Sequence, residues 1–297
     1  MPAGPLTRFA PSPTGYLHLG HVANAIYTWG IARGSGGSIL LRLEDHDRGR
    51  CHPQYEAGIL EDLEWLGLEP DFGKPAEFRA GRSAYRQSDN EDRYQAALGR
   101  LSENFWVFAC DCSRKDISGD ADVSDRETRY PGRCRERNLR PGPGRGLRVV
   151  IDAGEERFDD WMLGPQKQDP SRQCGDLLLK DRRGNWTYQF AVTLDDLDQG
   201  IDLVVRGQDL LESTGRQIRL ARMLGRELPP SYLHHPLIRH PSGAKLSKAN
   251  RDTSIRDLRV AGVSPARVMG QAAHLSGLIG SPRDLEVSEL AELFLPG

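Results

Sequence analysis

The chain has 297 residues, with 40 basic and 42 acidic side chains and a formal net charge of -2. Its 38% hydrophobic and 28% charged residues argue against disorder, and no apolar run reaches the roughly 20 residues of a membrane-spanning helix. The balanced charge excludes a global attraction to nucleic acid, so any RNA contact must come from a local patch.

The first predicted elements are a strand over Thr7 to Ala10, a loop Pro11-Ser12-Pro13-Thr14-Gly15, and an apolar-periodic helix from about Leu19 to Ile31 that stops at Gly34. This is the opening unit of a doubly wound sheet. A second strand over Ile39 to Leu43 follows, ending in Glu44-Asp45-His46-Asp47, then a helix over Tyr55 to Leu66 closed by Gly67. A helix over Tyr85 to Leu101 is expected on the same side of the sheet. From Val107 to Asp198 the chain turns to Gly- and Pro-rich loops and short strands, including a hairpin from Leu177 to Lys180 through Gly184-Asn185 to Phe190. Alternation then resumes with a strand over Leu203 to Val205, a helix over Leu210 to Leu224, a strand near Leu233 to Arg239, and a helical stretch from Ser264. The expected architecture is α/β, a Rossmann-type doubly wound parallel nucleotide-binding fold. Its halves fall at 1–106 and 199–250, an α+β subdomain is inserted at 107–198, and a short helical region occupies 251–297.

The first strand-to-helix loop lies at the carboxyl edge of the sheet, where such folds bind ligands and where a helix N-terminus offers N–H groups to phosphate. His18-Leu19-Gly20-His21 sits there. Two imidazoles three residues apart can donate to polyphosphate oxygens as charge shifts at the α-phosphorus. Near the other end, Lys245-Leu246-Ser247-Lys248 follows the turn-rich Pro241-Ser242-Gly243-Ala244. Only six of the 40 basic residues are lysines, and two of them fall in this tetrapeptide, as compact point charges able to follow a departing pyrophosphate. Asp45-His46-Asp47 is not read as a metal cluster, because adjacent residues at a strand end point in alternating directions.

These two tetrapeptides resemble the signature motifs of class I aminoacyl-tRNA synthetases. Arg8-Phe9-Ala10-Pro11-Ser12-Pro13-Thr14-Gly15, Leu41-Arg42-Leu43-Glu44-Asp45 and Val205-Arg206-Gly207-Gln208-Asp209-Leu210 resemble the glutamyl subgroup, in the same order over nearly the whole chain. A dicarboxylate with one ammonium group suits two guanidinium forks and one carboxylate. The resemblance implies a glutamate site along Arg8, Phe9, Ala10, Pro11 and Ser12, with Arg8 and Tyr188 on the side-chain carboxylate, Arg206 on the α-carboxylate, and Glu44 with Ser12 on the ammonium. It also implies an ATP site at His18, Gly20, His21 and Lys248, with catalysis by His18, His21, Lys245 and Lys248 and with Mg2+ accompanying ATP.

Cys110-Asp111-Cys112 and Cys134 bring three thiols together, and the start Met1-Pro2-Ala3-Gly4-Pro5 lacks a secretory signal, so the protein is expected in the cytoplasm with its thiols reduced. Three thiolates need one more ligand for a single tetrahedral, structural Zn2+. Resemblance to small glutamyl-type enzymes with a zinc module implies Tyr130 as the fourth, while water and Asp111 remain alternatives. Eight arginines between Arg126 and Arg148 form the best local patch for RNA phosphates.

Beyond Lys248 stand 49 residues (297 less 248), too few for the large helical anticodon-binding region of glutamyl-tRNA synthetases. This pairing of features resembles the glutamyl-queuosine tRNA(Asp) synthetases. The family implies a monomer that uses ATP and L-glutamate, forms the adenylate without tRNA, and esterifies queuosine in the anticodon loop of tRNA(Asp). The alternatives are a conventional enzyme charging tRNA(Glu), or a small-molecule adenylyltransferase, which would leave Arg8, Glu44 and the cysteines unexplained.

Overall fold

The computed structural model describes residues 4–118, 129–238 and 253–295. They form two compact units, one of Met1–Asp89, Ile201–Asp209 and Tyr232–Gly297, the other of Asn90–Gly200 and Leu210–Ser231. In chain order the elements begin β1 (Leu6–Phe9), α1 (Leu19–Gly34), β2 (Ser38–Leu41), α2 (Pro53–Leu66), α3 (Pro75–Ala80), α4 (Glu91–Asn104), β3 (Val107–Cys110) and α5 (Arg114–Ser118). There follow β4 (Gly146–Val149), β5 (Glu156–Asp160), β6 (Gly164–Gln168), α6 (Pro170–Gln173), β7 (Leu177–Lys180) and α7 (Tyr188–Asp198). The last are β8 (Leu203–Gly207), α8 (Thr214–Met223), β9 (Ser231–His235), α9 (Ile255–Val260) and α10 (Pro265–Leu275). None of the described helices is long and apolar enough to cross a membrane.

In the first unit β1 and β2 pair in parallel, Arg8 opposite Leu40, with α1 as the crossover between them. Helix α1 is apolar nearly all round, with Val22, Ala23, Ala25, Ile26, Tyr27, Trp29 and Ile31 buried, so it needs cover on more than one face. It has that cover from β1 and β8 and from α10 and a short 3-10 turn, Ala291–Phe294. Gly30 permits the last contact: a Cβ there would stand 2.3 Å from the Phe294 ring. Helix α2 starts on Pro53 and ends on Gly67 in the left-handed conformation, the residue types favoured at those two ends. Strand β8 joins β9 in the sheet. It also meets β1, where Asp202 N donates to Leu6 O at 3.1 Å.

The second unit has an antiparallel sheet β3-β4-β7 and a hairpin β5-β6, in which Phe158 faces Gln166. Its core gathers Tyr94, Leu101, Val149, Leu177, Leu179, Trp186, Phe190 and Leu194. Inside that core the fully buried Asp195 accepts from Tyr94 Oη at 3.1 Å and pairs with Arg93, satisfying a carboxylate that would otherwise be costly to bury.

Several expected elements differ. The helix expected over Tyr85 to Leu101 spans Glu91–Asn104 and buries Tyr94, Ala97 and Leu101 in the second unit. The chain does reverse at Gly184, φ +88°, but the return arm is one bridge, Lys180 to Trp186. Residues 188–198 are helix α7, because Thr187 caps it by accepting from Phe190 N and Phe190, Ala191 and Leu194 then recur at helical spacing. The helix expected from Leu210 begins as a 3-10 turn, Gln208–Ser213, before α8. Helix α9, capped reciprocally by Ser254 and Asp257, falls within the helical region expected over 251–297 and precedes the helical stretch expected from Ser264.

Candidate active site and thiol cluster

His18 is the N-cap of α1, and the motif holds itself in shape. Gly20 N donates to His18 Nδ1 at 3.1 Å, and His18 N donates to His21 Nδ1 at 3.2 Å. This is a capping box made from two imidazoles, whose rings stand 4.0 Å apart. Each Nδ1 accepts, so each neutral ring carries its proton on Nε2, an N–H donor of the kind a phosphate oxygen takes. The glycine between them is required by space: a Cβ on Gly20 would lie 2.9 Å from His18 Cε1. The first turn of α1 carries no acidic residue, so the positive end of the helix dipole is available to an anion. Ile255 N, at the start of α9, donates to Leu17 O at 2.8 Å. Lys245 and Lys248 lie outside the described residues.

The segment from Arg8 to Ser12 continues β1 and is bonded on both edges. On one edge Arg42 N donates to Phe9 O at 3.0 Å and Glu44 N to Pro11 O at 3.1 Å. On the other, Arg8 Nη1 donates to Val205 O at 3.1 Å, placing its guanidinium beside the residue preceding Arg206. Arg8, Glu44 and Arg206 are all buried. Glu44 Oε1 accepts from the fully buried Arg42 at 3.1 Å. Arg206 Nε donates to His234 Nε2 at 3.0 Å, with its guanidinium 5.6 Å from the Tyr232 ring centroid. Phe9 and Pro11 are buried, and Ala10 and Ser12 half-buried. Arg8 on β1 thus reaches β8 next to Arg206, while Glu44 lies just past β2 in the loop bonded to Pro11 and is paired with Arg42. Tyr188 opens α7 in the second unit and is half-buried. Sequence reasoning missed Arg42, Tyr232 and His234 as members of this site; the only local signal was the alternation of Tyr232 and His234 on one strand face.

A cavity of about 390 Å3 opens beside Pro13, but its charges are already engaged. Asp45 accepts from Ser88 N at 2.7 Å, and Arg86 pairs with Glu56 and Asp89 at 2.6 and 2.8 Å.

In the second unit the Sγ atoms of Cys110, Cys112 and Cys134 lie within 4.8 Å of one another. Cys112 and Cys134 Sγ are 3.5 Å apart, and Tyr130 Oη is 3.5 Å from Cys110 Sγ. Thiolates bound at about 2.3 Å on a tetrahedron stand about 3.8 Å apart, so the three sulfurs fit one ion. Burial and the neighbouring thiols push Cys112 up to about 12. Burial also opposes ionisation of Cys134, but hydrogen bonds, Tyr130 first among them, hold it below its ordinary value. Crowded thiols of this kind ionise together only around a cation. Of the alternatives for a fourth ligand, Asp111 is held by Arg137 at 2.7 and 3.0 Å, whereas Tyr130 is buried within the cluster. Burial and hydrogen bonding with Cys110 and Cys134 raise its phenol. Tyr130 is bonded to the chain at Cys174 O, 2.9 Å, against Gly175, whose φ is +68° and where a Cβ would meet Tyr130 O at 2.2 Å.

The arginine patch is smaller than its sequence indicates. Arg148 is buried, donating to Asp176 O at 2.7 Å and stacked 3.9 Å over the Tyr130 ring, and Arg135 is paired with Asp176 through two bonds. Arg133, Arg140 and Arg145 are exposed, Arg145 donating to Arg140 O at 2.7 Å. Arg126 lies outside the described residues.

A parallel strand-helix-strand unit, a helix start built from imidazoles, and buried arginines and a glutamate near its strands suit the activation of a carboxylate by a nucleotide. The model of the class I tRNA synthetase catalytic domain (E and Q) matches residues 6–277, and the chain belongs to this glutamyl and glutaminyl family of aminoacyl-tRNA synthetases. It is 39% identical over 302 residues to the Glutamyl-Q tRNA(Asp) synthetase of Symbiobacterium thermophilum, covering 97% of this chain and 91% of that one. It is 36% identical to Glutamate–tRNA ligase 2 of Cereibacter sphaeroides over 98% of this chain and 64% of the relative. Among solved structures, the glutamate-tRNA synthetase of Elizabethkingia anophelis superposes with a TM-score of 0.78 at 25% identity, over 97% of this chain and 65% of that one.

Proposed function

We propose that the chain activates L-glutamate with ATP, without tRNA, and transfers it to the queuosine base in the anticodon loop of tRNA(Asp). The observation that supports the amino-acid assignment is that Arg8, Glu44 and Arg206 are all buried, with the Arg8 guanidinium bonded at Val205 O next to Arg206 and Glu44 bonded to the Pro11 segment that follows β1. The transfer to queuosine is carried over from the relatives that bear that name.

In this reading Arg206 holds the α-carboxylate, Arg8 and Tyr188 hold the side-chain carboxylate, and Glu44 with Ser12 takes the ammonium. Phe9, Ala10 and Pro11 form the wall between them. An oxygen of the α-carboxylate attacks the α-phosphorus, and pyrophosphate leaves. His18 and His21, through Nε2–H, and Lys245 and Lys248 stabilise the charge that develops on the departing phosphates, so catalysis is mostly positioning and electrostatics. Gly20 lets the backbone approach the nucleotide. Mg2+ arriving with ATP neutralises phosphate charge. A cyclopentenediol hydroxyl of queuosine then attacks the glutamyl carbonyl carbon, forming the ester and releasing AMP.

The thiol cluster is read as a structural Zn2+ site with Cys110, Cys112, Cys134 and Tyr130 as ligands. The donor set, three sulfurs and a phenol oxygen, suits a closed zinc site that consolidates a small core of Phe108, Cys110, Tyr130 and Cys134. The chain is read as a Rossmann-type fold in two halves, 1–106 and 199–250, with the metal-bearing insertion at 107–198, a helical region at 251–297, a monomeric state and a cytoplasmic location.

The test is radiolabelled glutamate incorporation into tRNA from cells with and without queuosine, followed by nuclease mapping. Label confined to the queuosine-bearing anticodon fragment is expected. Equal labelling of both tRNA pools, or label at the terminal ribose of tRNA(Glu), would refute the acceptor and favour a conventional glutamyl-tRNA synthetase.

A further inference from the structure

Arg206 lies on β8, next to its last residue, and the neighbouring strand supplies one of its partners. On β9, Tyr232 and His234 are two residues apart and so share a face; their rings stack, 5.9 Å between centroids at 12°. His234 Nε2 accepts from Arg206 Nε at 3.0 Å, and the Tyr232 ring lies 5.6 Å from the guanidinium. All three side chains are buried, His234 completely. Arginine keeps its charge throughout the working pH range, so the imidazole nitrogen that accepts from it is unprotonated and the ring carries its proton on Nδ1. His235, on the opposite face, bonds instead to Asn24 Nδ2 at 2.9 Å and stacks on Tyr27 at 4.7 Å. The two adjacent histidines therefore serve different parts of the unit.

We propose that His234 is a positioning residue for glutamate: a neutral acceptor that fixes the Arg206 guanidinium without cancelling its charge. This rests on reading Arg206 as the α-carboxylate ligand. A carboxylate at position 234 would bond Arg206 more strongly, but it would neutralise the cation and weaken its pull on the incoming substrate. An apolar side chain would remove the acceptor that His234 offers to Nε–H. A neutral acceptor fixes the orientation and keeps the positive charge for the ligand.

The test is glutamate-dependent ATP–pyrophosphate exchange, with glutamate and ATP varied separately. Hydrogen bonds to charged groups are worth about 1.5–3 kcal/mol, which converts to roughly 10- to 100-fold. His234→Leu is expected to raise the KM for glutamate by that factor, with kcat and the KM for ATP within about twofold. His234→Gln, whose side-chain oxygen can accept from Nε–H, is expected to return the KM to within about threefold of the parent. His234→Glu is expected to fold, with a melting temperature near the parent's, yet raise the KM for glutamate by a similar factor. Arg206→Ala should raise the same KM, and adding His234→Leu to it should change nothing further. If Arg206→Ala raises the KM for glutamate while His234→Leu or His234→Glu leaves it unchanged, the role of His234 is overturned and that of Arg206 stands. If Arg206→Ala leaves it unchanged, the assignment of Arg206 itself fails. A His234→Leu protein with both KM values raised and no rescue by glutamine would reduce His234 to a structural residue and overturn the proposal.

Discussion

Replacing Gly20 by alanine separates the shape of the phosphate site from the stability of the helix that carries it. The new Cβ would stand 2.9 Å from His18 Cε1 and 3.1 Å from His18 Nδ1, closer than real Cβ contacts come. The imidazole must swing away, breaking the bond from Gly20 N, which is 3.1 Å long. Losing an N-cap costs about 1 kcal/mol, but alanine in place of glycine returns up to about 1 kcal/mol in a helix. The two nearly cancel, so the melting temperature should move by no more than about 3 °C. Catalysis has no such compensation. A displaced His18 no longer aims its Nε2–H at the departing phosphates, and losing one such donor costs about 10²-fold in kcat. Glutamate-dependent ATP–pyrophosphate exchange at saturating substrates is the assay, beside a thermal melt. Near-parental exchange would mean that the position of the His18 ring is irrelevant to adenylate formation and would refute the reasoning.

Lys248→Ala should lower pyrophosphate exchange by about 10²-fold or more; an unchanged rate removes this lysine from the mechanism. The thiol cluster should carry about one zinc per chain and lose it in Cys112→Ser, with chelation lowering the melting temperature; full metal content in that variant would contradict the ligand set. Asp62 on α2 is fully buried, has neither oxygen hydrogen-bonded among the described residues, and lies 3.6 Å from Arg259 Nη1. Burial raises it from 3.8 to about 6, against a smaller opposing pull from Arg259. The folded chain therefore binds the proton more tightly than the unfolded chain. Stability falls as pH rises through the interval from 3.8 to about 6 and stays reduced above it. That interval corresponds to about 3 kcal/mol, so Asp62→Leu should stabilise the protein by about 2 kcal/mol near pH 8 and far less near pH 4, read by urea unfolding. Destabilisation near pH 8 would show that the carboxylate contributes more than its burial costs.

Features that close within a few residues were legible in the sequence. His18, Gly20 and His21 bond to one another's backbone, and Cys110 and Cys112 are separated by one residue; spacing alone carries such geometry. The arginines and the glutamate were legible only through resemblance, because the bonds that assemble them join positions far apart, as Arg8 to Val205 does. His234 was invisible for the same reason, lying 28 residues from the arginine it orients. The expected return strand after Gly184-Asn185 failed because one threonine cap outweighed the turn signal. The arginine patch was overestimated because composition does not tell a solvated guanidinium from one stacked on Tyr130 or paired with Asp176.

Two of the groups read as holding glutamate, Arg8 and Arg206, stand on β1 and β8, and the Arg8 side chain bonds the β8 backbone at Val205 O. In that reading amino-acid choice depends on arginines that also belong to the buried packing of the first unit. Accepting a neutral side chain in place of a carboxylate would require changing arginines that are buried in the same packing that keeps β1 and β8 together. On that reading, a chain that drifts toward another amino acid would first lose buried ion and hydrogen-bond partners, so its specificity would be tied to its stability.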